Sequence, residues 1–312
     1  MRVAVMAAGG LGSYYGALLA QGGHDVTFIA RGAHLKALRD NGLVVKSVHG
    51  DMTIKPAQAT DNPGEVGPVD WILFSVKTYD TESAAQAMRP MVGPQTTVVT
   101  FQNGVQAHEE IGGIIGMDHL LVAPTQVVSN ITAPGVVEQK SPFRITTVGE
   151  VTQRGITPRV EWLAGELKKA GAEASAAPDG LKPLWHKFIF IASTAGLASL
   201  ARTAPYELFQ LPEARRALHD AMEEVYAVGR MLDVQMDSDI VERQYQFTLK
   251  LGPGQKPSMQ LDLEQGKRLE IDALSGAVVR LGHAKGIATP VHQTIYTALK
   301  MADEQVKHRG KN

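Results

Sequence analysis

The chain has 312 residues, 44% of them hydrophobic and 20% charged, with a net charge of −1. That length exceeds one typical core and implies two domains, while the near-neutral net charge gives no reason to expect nucleic acid or an anionic membrane as partner. There are no cysteines, which excludes disulfides, thiolate catalysis and Cys-ligated zinc, and no metal site is expected.

Arg2 to Met6 reads as a strand, Ala7-Ala8-Gly9-Gly10-Leu11-Gly12 as a glycine-rich turn, and the next residues as a helix leading to a second strand from Asp25 to Ala30, which ends at Arg31. This is the order of a dinucleotide-binding βαβ unit. A pyrophosphate lies against backbone N–H groups at a helix N-terminus, and only small residues let the backbone come that close. Ala7, Ala8, Gly9, Gly10, Leu11 and Gly12 are therefore candidate cofactor contacts. In the register set by the strand, Ala7 takes the place of the first glycine, where an alanine serves only at negative φ. A rival register, Gly10-x-Gly12-x-x-x-Gly16, lengthens the strand. Arg31 stands where an NAD-binding unit has an acid for the ribose 2′-hydroxyl, and its guanidinium suits a 2′-phosphate; the expected cofactor is NADP(H).

A helix near His34 to Asp40 follows, then a hairpin of Leu43 to Val48 and Met52 to Lys55, read as inserted in the same sheet. Trp71 to Val76 and Thr96 to Phe101 are near-continuous apolar runs, as in strands covered on both faces, and a helix from Thr81 to Met88 lies between them. Leu120 to Val128 reads as one strand, and Val136 to Glu138 and Ile145 to Val148 as two more. An amphipathic helix from Pro158 to Ala170 leads to a last strand near Ala172 to Ala176.

At Ala176-Ala177-Pro178-Asp179-Gly180 the strand-like alternation stops. The expected architecture is α/β, with an N-terminal Rossmann-type dinucleotide-binding domain over 1–177 followed by an all-helical C-terminal domain over 178–312. Its helices are predicted at Leu181 to Ala201, Glu213 to Met231, Ser238 to Leu251, Leu269 to Ala284 and Pro290 to His308. Phe188 to Leu200 is the most apolar stretch, yet it is short of the ~20 residues of a membrane span and reads as a buried helix. No signal peptide precedes the strand that starts at Arg2, so the cytoplasm is the expected compartment.

Lys77 follows the Trp71–Val76 strand and Asn103-Gly104 follows the strand ending at Phe101, which puts both at the carboxyl edge where doubly wound sheets bind ligands. A solvated lysine and an ordinary Asn-Gly turn are the plainer alternatives. Lys187 lies one turn into the most apolar helix, where it either snorkels or, desolvated, becomes a useful general acid. Ser258 could be a helix N-cap, and Glu270 and Asp272 the acidic first turn of the next helix.

Taken together, the glycine turn, Lys77, Asn103-Gly104, Trp185 and Lys187, Ser258-Met259 with Asp262, and Glu270-Ile271-Asp272 resemble the ketopantoate reductase (2-dehydropantoate 2-reductase) family over essentially the whole chain. The resemblance implies an NADPH-dependent oxidoreductase of pantothenate biosynthesis that reduces a small 2-oxo acid, with a homodimer allowed. It further implies that Lys187 is the catalytic acid, that Glu270 hydrogen-bonds the substrate, that Ser258 and Asn103 help to hold it, and that Lys77 and Asn103 approach the cofactor. Asn is usual in the family four and eight residues after the catalytic lysine, but this chain has Ile191 and Ala195. The rival readings are a reductase of a less polar oxo acid or dicarbonyl compound, and a non-catalytic NADP-sensing protein.

Overall fold

Val3, Ala4, Val5 and Met6 are all buried, as an interior strand with both faces covered requires. In the computed structural model, which describes residues 1–309, they form β1 (Arg2–Met6), paired in parallel with β2 (Asp25–Ile29) on one side and β6 (Val69–Phe74) on the other. Between β1 and β2 runs α1 (Gly10–Gln21). Next come α2 (Gly32–Asn41), β3 (Leu43–Ser47), β4 (Met52–Ile54) and β5 (Gln58–Thr60). After β6 come α3 (Thr81–Met88), β7 (Val92–Thr100), α4 (Ala107–Ile115), β8 (Leu120–Val122) and β9 (Thr125–Gln126). The last of this set are β10 (Ser129–Ala133), β11 (Val136–Gln139), β12 (Ile145–Glu150), α5 (Pro158–Lys169) and β13 (Glu173–Ala177).

The main sheet has the strand order β13-β12-β8-β7-β6-β1-β2-β5. From β8 to β5 every pairing is parallel, while β12 meets β8 antiparallel. The chain reverses its direction of growth across the sheet between β1 and β6, and this switch point is where doubly wound sheets hold nucleotides. One face is covered by Tyr15, Leu18 and Leu19 of α1 with Val160, Leu163 and Leu167 of α5, and the other by Ala85 and Met88 of α3 with Ile111 of α4. Trp71 of β6 stacks on Trp162 of α5 at 4.5 Å between ring centroids, a pairing worth about 0.5–1.5 kcal/mol beyond its burial.

Two strand expectations change, and two further strands are present. The β3–β4 hairpin forms, but outside the main sheet: it joins β10 and β11 in a second, four-stranded sheet of order β10-β11-β3-β4, with β3 parallel to β11. Leu120 to Val128 is not one strand, because Pro124 can donate no ladder bond; the chain stops as β8 and resumes as β9 against β12. The short β5 and the exposed β10 lack the apolar alternation that would announce them.

The contacts divide the chain into two units, Met1–Gln102 with Ala107–Leu181, and Asn103–Gln106 with the chain from Lys182 onward. The second unit is helical: α6 (Leu181–Ala201), α7 (Pro205–Leu208), α8 (Pro212–Met231), α9 (Ile240–Leu249), α10 (Ser258–Glu264), α11 (Ser275–Ala284) and α12 (Pro290–Arg309). At 21 residues α6 is long enough to cross a membrane, but most of its apolar window is buried within the fold, as befits a core helix. Sequence periodicity starts a helix at Leu269, whereas α11 begins at Ser275. Tertiary partners hold the intervening backbone out of the helix: Leu269 N–H donates to Asp303 Oδ1 at 2.8 Å, and Asp272 is gripped by Lys300 and Tyr296 of α12.

Candidate active site

The glycine turn leaves β1 and enters α1 with Gly9 as the N-cap residue, and no side chain caps the helix. The first-turn N–H groups, which have no intrahelical acceptor, are left to an anion. A Cβ built on Gly9 would meet nothing within 4 Å, whereas one on Gly12 would lie 2.2 Å from Ala7 O and 2.3 Å from Ser75 Oγ. Gly9 thus keeps open space on the ligand side, and Gly12 permits the close approach of helix and strand. Ala7 has no positive φ, so a methyl group is tolerated at the first glycine position. Its carbonyl accepts from Ser75 Oγ at 2.9 Å, which ties the turn to the end of β6. Lys77 comes two residues later, half-buried, and Arg31 follows β2 with its side chain exposed. These residues, drawn from the carboxyl ends of β1, β2 and β6, suit a dinucleotide whose diphosphate lies on α1.

In the second unit, Lys187 Nζ donates to Asn103 Oδ1 at 2.8 Å. Lys187 is half-buried over its length, but desolvation pushes its ammonium down from 10.5 to about 8, against the opposing pull of the negative Glu270. Glu270 is buried at 6% exposure. It lies in the irregular stretch before α11, which has no acid in its first turn, so a dipole-capping role does not explain the residue. Gly104, at φ +90, packs its backbone against the same stretch: a Cβ there would lie 2.8 Å from Ala273 O. A cation poised to lose a proton near neutrality, an amide that orients it and a buried carboxylate are the parts of a proton-transfer site.

Lys187, Asn103 and Glu270 are thus brought together, and Ala7 to Gly12, Arg31 and Lys77 gather at one edge of the main sheet. Ser258 is the exposed first residue of α10, whose N-cap is Pro257, so its hydroxyl does no capping. Ile191 and Ala195 follow Lys187 on its own side of α6, the former half-buried and the latter fully buried. Sequence reasoning missed Ser75, which holds the glycine turn. It also missed Gln102, whose amide donates to Val76 O at 3.1 Å and Thr81 Oγ1 at 2.9 Å and so fixes the residue before Lys77. A polar residue closing an apolar strand was the one available signal.

Comparison with known proteins gives a consistent result. The family described as "Ketopantoate reductase PanE/ApbA" matches residues 3–153, and its C-terminal domain, "Ketopantoate reductase PanE/ApbA C terminal", matches residues 181–303. The chain is 32% identical over 306 residues to a 2-dehydropantoate 2-reductase of Halobacterium salinarum, covering 97% of this chain and 99% of that protein. It is 25% identical over 305 residues to the uncharacterized oxidoreductase YkpB of Bacillus subtilis, covering 98% and 100%. The crystal structure of a PanE/ApbA family ketopantoate reductase from Ralstonia eutropha superposes with a TM-score of 0.90 at 29% identity, covering 99% of this chain and all of that one.

Proposed function

The chain belongs to the ketopantoate reductase family, and from that premise we propose that it reduces a small 2-oxo acid to the 2-hydroxy acid with NADPH, with 2-dehydropantoate, giving pantoate, as the first-choice substrate. The observation that carries this reading is Lys187, its ammonium pushed down to about 8 beside Asn103 and Glu270. The nicotinamide supplies a hydride to the ketone carbon. Lys187 gives its proton to the oxygen on which alkoxide charge develops, becomes a neutral amine and is reprotonated from solvent. With Oδ1 taken up by Lys187, Asn103 keeps its NH₂ group for the substrate, while Glu270 accepts from the hydroxyl being formed and Ser258 offers its exposed hydroxyl. Arg31 would take the 2′-phosphate, Lys77 the nicotinamide ribose, and the Ala7–Gly12 turn the diphosphate.

A second reading, a less polar oxo acid or dicarbonyl substrate, is favoured by Ile191 and Ala195, which bring no hydrogen-bonding side chain to the helix beyond Lys187. The two are separated by following NADPH absorbance with a panel of 2-oxo acids. Fast oxidation with ketopantoate supports the first, faster oxidation with an apolar analogue the second, and binding of NADPH without turnover across the panel refutes both in favour of a sensing protein. The reading takes the cytoplasm as compartment and allows a homodimer, which sedimentation velocity checks.

A further inference from the structure

Asn103 and Glu270 lie on two segments far apart in sequence, and both must be held against Lys187 for the proton transfer to be well aligned. The segments touch through Gly104 and Ala273, but a backbone contact alone does not fix their relative slide. A side chain also joins them. Arg280 of α11 donates through Nη1 to Asp272 O at 3.0 Å and through Nη2 to Gln106 Oε1 at 2.9 Å. Asp272 lies two residues beyond Glu270, and Gln106 three residues beyond Asn103. The Asp272 end is itself anchored, its carboxylate accepting from Lys300 Nζ at 2.6 and 2.9 Å and from Tyr296 Oη at 2.9 Å. Through Arg280 that anchorage is passed on to the Asn103 segment. A guanidinium suits the task because its planar fork holds two acceptors in fixed relation, which a single ammonium cannot do.

We propose that Arg280 is a positioning residue of this site, clamping the Asn103 and Glu270 segments together and so setting both against Lys187; the proposal rests on the reading of Lys187 as the proton donor. Arg280 is exposed, so its loss opens no core cavity and fold stability is barely touched. The effect falls on alignment, where a 1 Å misplacement can cost about 10²-fold in rate.

The test uses Arg280→Met, Gln106→Met and the double variant in the full chain, with the oxo acid that the wild type turns over best. Arg280→Met should lower kcat roughly tenfold with NADPH affinity unchanged, since the glycine turn and Arg31 lie outside the clamp. Gln106→Met should lower kcat by a smaller factor, the double variant should be no worse than Arg280→Met alone, and Arg280→Lys should rescue little. An unaltered kcat in Arg280→Met, or losses that multiply in the double variant, would overturn the clamp. A readout independent of turnover is the ¹⁵N-lysine NMR titration of Lys187, whose midpoint should move up from about 8 toward the ordinary lysine value as water reaches a loosened site. An unmoved midpoint also overturns the proposal. Should Lys187→Met retain full activity, the proton-donor reading fails by itself, and the titration still decides whether Arg280 orders the site. If Arg280→Met folds poorly, Gln106→Met cuts the same bridge from its other end.

Discussion

Replacing Lys187 by Met keeps the length of the side chain and removes its proton. Because burial brings the ammonium to about 8, the wild-type kcat should depend on pH where an ordinary lysine gives no dependence. About nine-tenths of a group with that pKa is protonated at pH 7 and about one-tenth at pH 9, so kcat should fall roughly tenfold between the two; a lysine near 10.4 would lose only a few per cent. Lys187→Met should lower kcat by about 10² to 10⁴ and flatten the profile, with NADPH affinity nearly unchanged. Stability should move the other way. The folded-state value lies below the unfolded one, so the unfolded chain binds the proton more tightly, and stability rises as pH climbs from about 8 toward 10.5. At pH 7 the charged form costs the fold roughly 3 kcal/mol, of which removing the donor to Asn103 takes back about 1–3 kcal/mol. The melting temperature of Lys187→Met at pH 7 should therefore hold or rise. A profile flat through pH 9, or a variant that loses activity and several degrees of melting temperature together, would show the lysine to be structural.

Arg31→Ala should cost roughly 10- to 150-fold in NADPH affinity and little in NADH affinity, the range expected for losing a charged hydrogen bond to phosphate; equal wild-type affinity for the two cofactors refutes the assignment. Gly12→Ala places a Cβ 2.2 Å from the Ala7 carbonyl and forces the turn off the strand, so NADPH binding measured by fluorescence should weaken sharply and stability should drop by about 1–3 kcal/mol. Installing Asn at 191 and 195 together should raise kcat/KM for ketopantoate specifically, provided the two amides find partners; a wild-type kcat/KM of ~10⁵ M⁻¹s⁻¹ or more for ketopantoate would show that other groups already do this work.

What the sequence made legible follows from the range of the forces involved. β1, β6 and β7 announce themselves as apolar runs because both faces of the main sheet are covered, and the glycine turn does so because close approach leaves no substitute for Gly12. The second sheet is invisible by the same reasoning: β10 is exposed along nearly its whole length, so nothing in its pattern distinguishes it from a loop, and the partners of β3 are assigned only by the tertiary fold. Periodicity places the start of α11 too early because it is local, whereas the groups that hold residues 269–272 in an irregular path come from α12, some 30 residues downstream. That error bears on function, since a helix starting at Leu269 would have made Glu270 a surface acid in its first turn instead of a buried carboxylate beside Lys187.

The same distinction separates the residues proposed to meet the substrate from the one proposed to place them. Lys187 stands out in sequence because a cation in an apolar helix violates a local rule, and such violations gather at functional sites. Arg280 violates nothing: an arginine on the solvent side of an amphipathic helix is the commonest of surface residues, and its meaning lies in two acceptors, Gln106 and Asp272, that are more than 160 residues apart in the chain. A positioning residue of this kind is legible only once the fold has brought its two clients together, and a coupling between Arg280→Met and Gln106→Met is its proper measure.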